Sequence, residues 1–220
     1  MITNIIFDFN GTLLDDLNLT FDIEERMLKK HGLPLVTKDF YLHNFSFPVK
    51  AYYELIGYDF AKTPYEDLAV EFVDEYYARE EKETFLFEDC YDVLTWLKQE
   101  NIHLYVLSAS KQDYLERQLK RLGIFDLFDG VIGDNSIHAH GKINYGNEFL
   151  NEHEIDRSKT IMVGDTVHDF EVAEALNLTP IIFLGGHNSE DLFKTLNVKC
   201  VKNYRELYNL ICLMDFANEK

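Results

Sequence analysis

The sequence predicts a doubly wound parallel α/β core carrying an inserted, all-helical domain. Short β-rich apolar runs alternate with helical patterns, as in a parallel sheet joined by crossover helices. Two of those runs, Ile5-Ile6-Phe7 and Ile161-Met162-Val163-Gly164, deliver an acid at their carboxyl ends, where open α/β sheets bind ligands. After the first run, about seventy residues show helical periodicity and no convincing strand.

The predicted strands are Asn4–Asp8, His103–Ser108, Gly130–Gly133, Thr160–Gly164, Pro180–Leu184 and a short Lys199–Val201. Helical patterns lie between them at Tyr91–Gln99, Tyr114–Leu122, Tyr145–Glu152, Asp169–Leu176, Glu190–Thr195 and Arg205–Leu213. The interruption from Asp16 to Thr84 divides the chain into a core of residues 1–15 and 85–220 and a helical domain of residues 16–84. Between Glu66 and Asp92 stand eleven acids and two bases, Arg79 and Lys82, which reads as a solvated outer face and a return linker.

The 220 residues carry 21 Lys and Arg against 39 Asp and Glu, a formal charge of −18. Such a charge repels phosphate backbones and anionic lipids, which speaks against nucleic-acid and membrane partners. A phosphorylated substrate would need a metal ion or a local cationic patch. The three cysteines, Cys90, Cys200 and Cys212, form no Cys-x-x-Cys pair, so neither a disulfide framework nor a zinc site is expected. With no basic, apolar leader and no run approaching the roughly 18 residues of a membrane span, a cytoplasmic location is expected.

The chemistry gathers at strand ends. Asp8 closes the first strand and is followed by Phe9-Asn10-Gly11-Thr12; Asp165 closes the fourth, with Asp169 four residues on. Three carboxylates on one sheet edge repel one another unless a cation sits among them, and an all-oxygen set suits Mg²⁺. Ser108 places a hydroxyl at the end of the second strand, and Lys142 stands as a lone cation in the loop after the third.

In this order the motifs resemble those of the haloacid dehalogenase superfamily, in particular its phosphoglycolate-phosphatase-like branch. The first motif is Asp8-Phe9-Asn10-Gly11-Thr12, the second Ser108, the third Lys142, and the fourth Gly164-Asp165-x-x-x-Asp169. His31-Gly32-Leu33-Pro34 and Arg121-Leu122-Gly123-Ile124-Phe125 are similar as well. The resemblance implies a Rossmann-like core with a helical cap inserted after the first motif. It implies Asp8 as nucleophile, forming an aspartyl-phosphate, and Mg²⁺ held by Asp8, the Asn10 carbonyl, Asp165 and Asp169. Ser108 and Lys142 would hold the phosphoryl oxygens, and Thr12 would support the turn beside the substrate.

One departure matters most. The family places an aspartate where this chain has Asn10, and that aspartate protonates the leaving oxygen and later activates water. An amide does neither. The expected cost is about 10²–10⁴-fold, and Asn10→Asp is then expected to raise turnover of alkyl phosphates. Asp15, Asp16 and His168 are the candidate substitutes for the missing acid.

The expected activity is Mg²⁺-dependent hydrolysis of a small, phosphoglycolate-like phosphorylated metabolite. A non-hydrolytic phosphometabolite-binding protein and another phosphotransfer reaction of the superfamily stay open. Phe40, Tyr41, Phe45, Phe47, Tyr52, Tyr53, Tyr58 and Phe60 should form mostly the cap's own core, with one or two lining the cleft. Lys50 is a candidate partner for a substrate carboxylate or second phosphate. His187 is placed near the site rim, and His138 and His140 are read as exposed loop residues.

Overall fold

A computed structural model describes residues 1–134 and 141–216. Its strands are β1 (Asn4–Phe7), β2 (Leu14–Asp15), β3 (Phe85–Leu86), β4 (His103–Lys111), β5 (Gly130–Asp134), β6 (Thr160–Gly164), β7 (Thr179–Phe183) and β8 (Lys199–Val201). Six of them form a parallel sheet in the order β5-β4-β1-β6-β7-β8. From β1 the chain builds outward through β4 and β5, then returns to lay β6 on the opposite flank. The carboxyl end of β1 is therefore the switch point, where such sheets open a crevice.

Alternation along β1 sends Ile5 and Phe7 to one face and Ile6 to the other. On the first face they meet α5 (Cys90–Gln99), α6 (Gln112–Arg121) and α9 (Tyr204–Phe216). On the second lie α7 (Gly141–Glu152) and α8 (Val167–Ala175), through Leu150, Val172 and Ala173. Each predicted strand has its counterpart. β4, however, runs past Ser108 to Lys111, because an irregularity after Leu107 lets Lys111 pair again with Asp134. Lys142 lies in the first turn of α7 rather than in a loop. The predicted helix at Glu190–Thr195 is a short 3-10 turn, Glu190–Phe193.

Between β2 and β3 stand α1 (Leu17–Lys30), α2 (Lys38–Asn44), α3 (Val49–Leu55) and α4 (Tyr65–Glu83). They share an apolar cluster of their own, built on Leu19, Ile23, Met27, Leu28, Tyr41, Tyr52 and Leu68. Seven of the eight clustered aromatics belong to it; Phe47 instead stacks on His168 of α8, ring centroids 4.9 Å apart. The chain enters and leaves this helical block through an antiparallel ribbon that pairs Leu14 with Leu86 and Asp15 with Phe85. Among the described residues, no helix is long and apolar enough to cross a membrane.

Candidate active site

Phe7 of β1 lies beside Val106 of β4 and Val163 of β6, so the residues following all three strands emerge together. Asp8 is buried there, its N–H donating to the Val163 carbonyl at 2.8 Å. Asp165 arrives from β6 and Asp169 from the first turn of α8. Oxygens of Asp8, Asp165 and Asp169 all come within 4.8 Å of one another. Lys142 bridges two of them, its Nζ 2.5 Å from Asp8 Oδ1 and 2.6 Å from Asp169 Oδ1.

Each acid is held by local backbone chemistry. Thr166 caps α8: its hydroxyl donates to Asp169 Oδ2 at 2.6 Å, and the Thr166 and Asp165 amides donate to the same oxygen. Asp165 receives the Thr12 hydroxyl on Oδ1 at 2.9 Å and the His187 N–H on Oδ2 at 2.7 Å. Gly11, at φ +73°, and Gly186 pack directly against the Asp165 carboxylate, where a Cβ on either would collide with it.

The three acids outnumber the one lysine, and their titration reflects it. Burial, then repulsion from Asp169 and Asp165, raises the Asp8 carboxyl well above its ordinary range against the pull of Lys142. Burial lifts Asp165 to about 6. Burial would raise Asp169 too, but the Lys142 ammonium and the Thr166 hydrogen bonds hold it below its usual value. This buried, all-oxygen, net-negative donor set fits a hard divalent cation such as Mg²⁺.

Asn10 faces away from those acids. Its Nδ2 lies 2.8 Å from Asp16 Oδ2 and 3.0 Å from the Tyr76 hydroxyl, and its Oδ1 accepts from the Ser110 hydroxyl at 3.2 Å. Asp16, at the N-terminal end of α1, also receives the Tyr76 hydroxyl at 2.8 Å and the Gly11 N–H at 3.0 Å. His187 Nε2 lies 3.0 Å from Asp16 Oδ1, and its Nδ1 lies 2.9 Å from the Tyr41 hydroxyl. Burial opposes charge on both partners of this pair. The Asp16 carboxylate nonetheless lifts His187 to about 9, while His187, Asn10 and Tyr76 together keep Asp16 below its ordinary value.

A sequence profile of the haloacid dehalogenase-like hydrolases matches residues 5–183, a span that includes Asp8, Asn10, Asp16, Lys142, Asp165 and Asp169. The chain belongs to that family. A phosphoglycolate phosphatase from Colwellia psychrerythraea is 25% identical over 218 residues, covering 92% of this chain and 94% of that one. A second, from Nitrosococcus oceani, is 25% identical over 195 residues and covers 84% of each. A solved haloacid dehalogenase-like protein from Agrobacterium tumefaciens superposes with a TM-score of 0.81 at 18% identity, covering 98% of this chain and all of that one. The protein tyrosine kinase PtkA of Mycobacterium tuberculosis shares the fold at a TM-score of 0.78 and 22% identity, covering 95% and 98% of the two chains.

Within this haloacid dehalogenase-like hydrolase, the structure brings Asp8, Lys142, Asp165 and Asp169 together as the motifs predict. Ser108 is buried on the neighbouring strand, its Oγ accepting from the Ser110 N–H at 3.1 Å. The Thr12 hydroxyl is engaged by Asp165, which makes Thr12 a support for that carboxylate. Lys50 is not brought to the cluster: its ammonium lies over the rings of Phe60 and Tyr65, 5.2 and 5.8 Å from their centroids. His168 borders Asp169 but stacks on Phe47. His138 and His140 lie outside the described residues. Tyr41 is one of the cap aromatics of which one or two are expected at the cleft; Tyr76 and Ser110 escaped sequence reasoning, because a tyrosine among helical aromatics and a serine past a predicted strand end carry no motif.

Proposed function

We propose that the protein is a Mg²⁺-dependent phosphatase acting on a small phosphorylated metabolite through an aspartyl-phosphate on Asp8. One observation carries this: Asp8 gives only one of its oxygens to Lys142, and among the described residues the other accepts no hydrogen bond. That oxygen is available to attack phosphorus, forming the acyl-phosphate as the P–O bond to the leaving group breaks. Attack of water on the same phosphorus then releases inorganic phosphate and regenerates the carboxylate.

Asp8, Asp165, Asp169 and the Asn10 carbonyl would hold the cation. When bound, it supplies charge neutralisation for the phosphoryl group and the surrounding acids. Lys142 favours the ionised form of Asp8 and, with Ser108, accommodates the phosphoryl oxygens. Asn10 has no acidic proton for the leaving oxygen, so leaving groups of low basicity are favoured. The relatives named as phosphoglycolate phosphatases support a small phosphate monoester as substrate. We read residues 16–84 as a lid: Tyr76 of α4 and Tyr41 of α2 reach Asn10 and His187 at the mouth of the core.

The test is phosphate release from an aryl phosphate with and without Mg²⁺. The wild-type protein should turn over only with the metal, and Asp8→Asn should abolish turnover at unchanged far-UV circular dichroism. Wild-type rates in Asp8→Asn would refute the nucleophile. The commitment of the Asn10 amide to Asp16 and Tyr76 favours a second possibility, a sensor that binds a phosphometabolite without cleaving it. That alternative predicts saturable, Mg²⁺-dependent binding by calorimetry and no phosphate release.

A further inference from the structure

The amide at position 10 is oriented from both ends. Its nitrogen points at an acceptor, Asp16 Oδ2, and its oxygen at a donor, the Ser110 hydroxyl. The Asp16 carboxylate is in turn saturated. Oδ1 takes the Gly11 N–H and His187 Nε2, while Oδ2 takes Asn10 Nδ2 and the Tyr76 hydroxyl. Four donors occupy its four lone-pair positions. The groups come from separate parts of the fold: the loop after β1, the start of α1, α4, and the loop after β7. Asp16 is 3% exposed, so water cannot substitute for a lost donor.

We propose that Asp16 is a positioning residue matched to Asn10, and that its carboxylate requires a hydrogen-bond donor at position 10 to hold the helical block against the catalytic loop. In this arrangement the amide has a role of its own. An aspartate at position 10 would set a second carboxylate against Asp16 Oδ2, with one hydroxyl proton, that of Tyr76, between them. The expected gain from Asn10→Asp as a restored acid would then be masked by the broken junction. Exchanging the two residues removes the conflict. An amide at position 16 would accept from Gly11 and His187 through its oxygen and donate through its nitrogen to a carboxyl group at position 10; the Tyr76 and Ser110 hydroxyls beside that group donate to its ionised form or accept from its protonated one.

This inference rests on the phosphatase reading only for its kinetic consequence, so the test has two separable arms, applied to wild type, Asn10→Asp, Asp16→Asn and the exchanged double variant. Peptide mass analysis first confirms that Asn10, which precedes Gly11, is intact. In the first arm, melting temperatures are measured without metal or substrate. Each single variant should melt lower by roughly 3–8 °C, and the exchange should recover most of the loss. In the second arm, phosphate release is measured from aryl and alkyl phosphates with Mg²⁺. Asn10→Asp should lose about ten-fold in kcat/KM on the aryl ester. The exchanged variant should regain that loss and raise the alkyl-to-aryl rate ratio roughly ten-fold or more, the range of general acid catalysis. Purely structural damage would not shift that ratio. Additive losses in the double variant, or an Asn10→Asp protein that melts like wild type and gains alkyl activity alone, would overturn the proposal. If no variant releases phosphate, the phosphatase reading fails and the melting arm still decides the pairing.

Discussion

Arg121 of α6 reaches across to Glu80 of α4, with Nη2 2.8 Å from the carboxylate oxygen Oε2. Glu80 is 1% exposed and also receives the Tyr114 hydroxyl at 2.9 Å and, more distantly, the Gln118 amide. Beside it Tyr77 stacks on Tyr114 with centroids 3.6 Å apart. The last turn of α4 is therefore fastened to the core by a buried ion pair, whereas the opposite edge of the block meets the core through the Phe47–His168 stack and through hydrogen bonds of Tyr41 to His187, Ser189 to the Leu42 carbonyl and Asn188 to the Phe45 carbonyl. If residues 16–84 open as the proposed lid, the motion should pivot about the α4–α6 seam.

Removing the guanidinium should make that seam costly. Arg121→Met leaves the Glu80 carboxylate buried with only neutral donors, and a loss of about 3–5 kcal/mol is expected. Glu80→Gln combined with Arg121→Met should recover much of it, because no unpaired charge remains. Urea denaturation measures both; a loss below about 1 kcal/mol in the single variant would show that the pair is not a fastening.

Lys142→Met should remove activity and destabilise the protein, since Asp8 and Asp169 lose their shared cation. Lys142→Arg should not rescue turnover: a planar guanidinium cannot occupy the point between two oxygens that a compact ammonium fills. Turnover with saturating Mg²⁺ is the measurement, and a fall of at least about 10²-fold is expected for both. Near-wild-type activity in the arginine variant would mean that charge alone matters there.

A methyl group at Gly186 collides with the Asp165 carboxylate and the Gly11 carbonyl. Gly186→Ala should therefore weaken Mg²⁺ binding by roughly ten-fold or more, the scale of misplacing a supporting group at a metal site, while the rest of the sheet stays folded. Calorimetric titration with Mg²⁺ reads the effect directly. Unchanged affinity would remove Asp165 from the metal's ligands.

The pH dependence of the helical block should come from Glu24. Burial lifts this carboxyl to about 7, against a hydrogen bond from the Tyr52 hydroxyl that favours its charged form. Its folded-state value lies above that of the unfolded chain, so the stabilising contribution is fully present below the ordinary glutamate range, near 4.5, and is lost as pH rises through about 7. The loss amounts to roughly 3 kcal/mol. Glu24→Gln, which keeps the acceptor for Tyr52, should flatten stability across that window and stabilise the protein at pH 8; melting curves from pH 4 to 8 test it.

The parallel core was legible because each strand is an apolar run closed by a turn, and the acidic cluster because strand ends deliver its members. What the sequence concealed was contact across the insertion. From sequence Asp16 is only a candidate acid and His187 only a residue near the rim, and Tyr76 carries no signal; only packing the block on the core joins them around Asn10. Lys142 was identifiable, but its place in the first turn of α7 was not, since Gly141 ahead of it looks like continued loop. Lys50 misleads for a simpler reason: a lysine among aromatics finds ring faces within its own domain.

The ribbon of Leu14–Asp15 against Phe85–Leu86 also bears on how the chain reaches its native topology. The central strand pair joins Asn4 to His103, ninety-nine residues apart, a long-range closure of the kind that slows folding. Once the helices of the insertion have condensed and the ribbon has zipped, the same pairing spans an effective loop of about thirty residues. Early formation of the block would thus act as a built-in tether for the sheet. Breaking the ribbon by Leu86→Pro should retard refolding more than it accelerates unfolding in stopped-flow experiments. In that sense the segment proposed as a lid would also be the scaffold on which the sheet assembles.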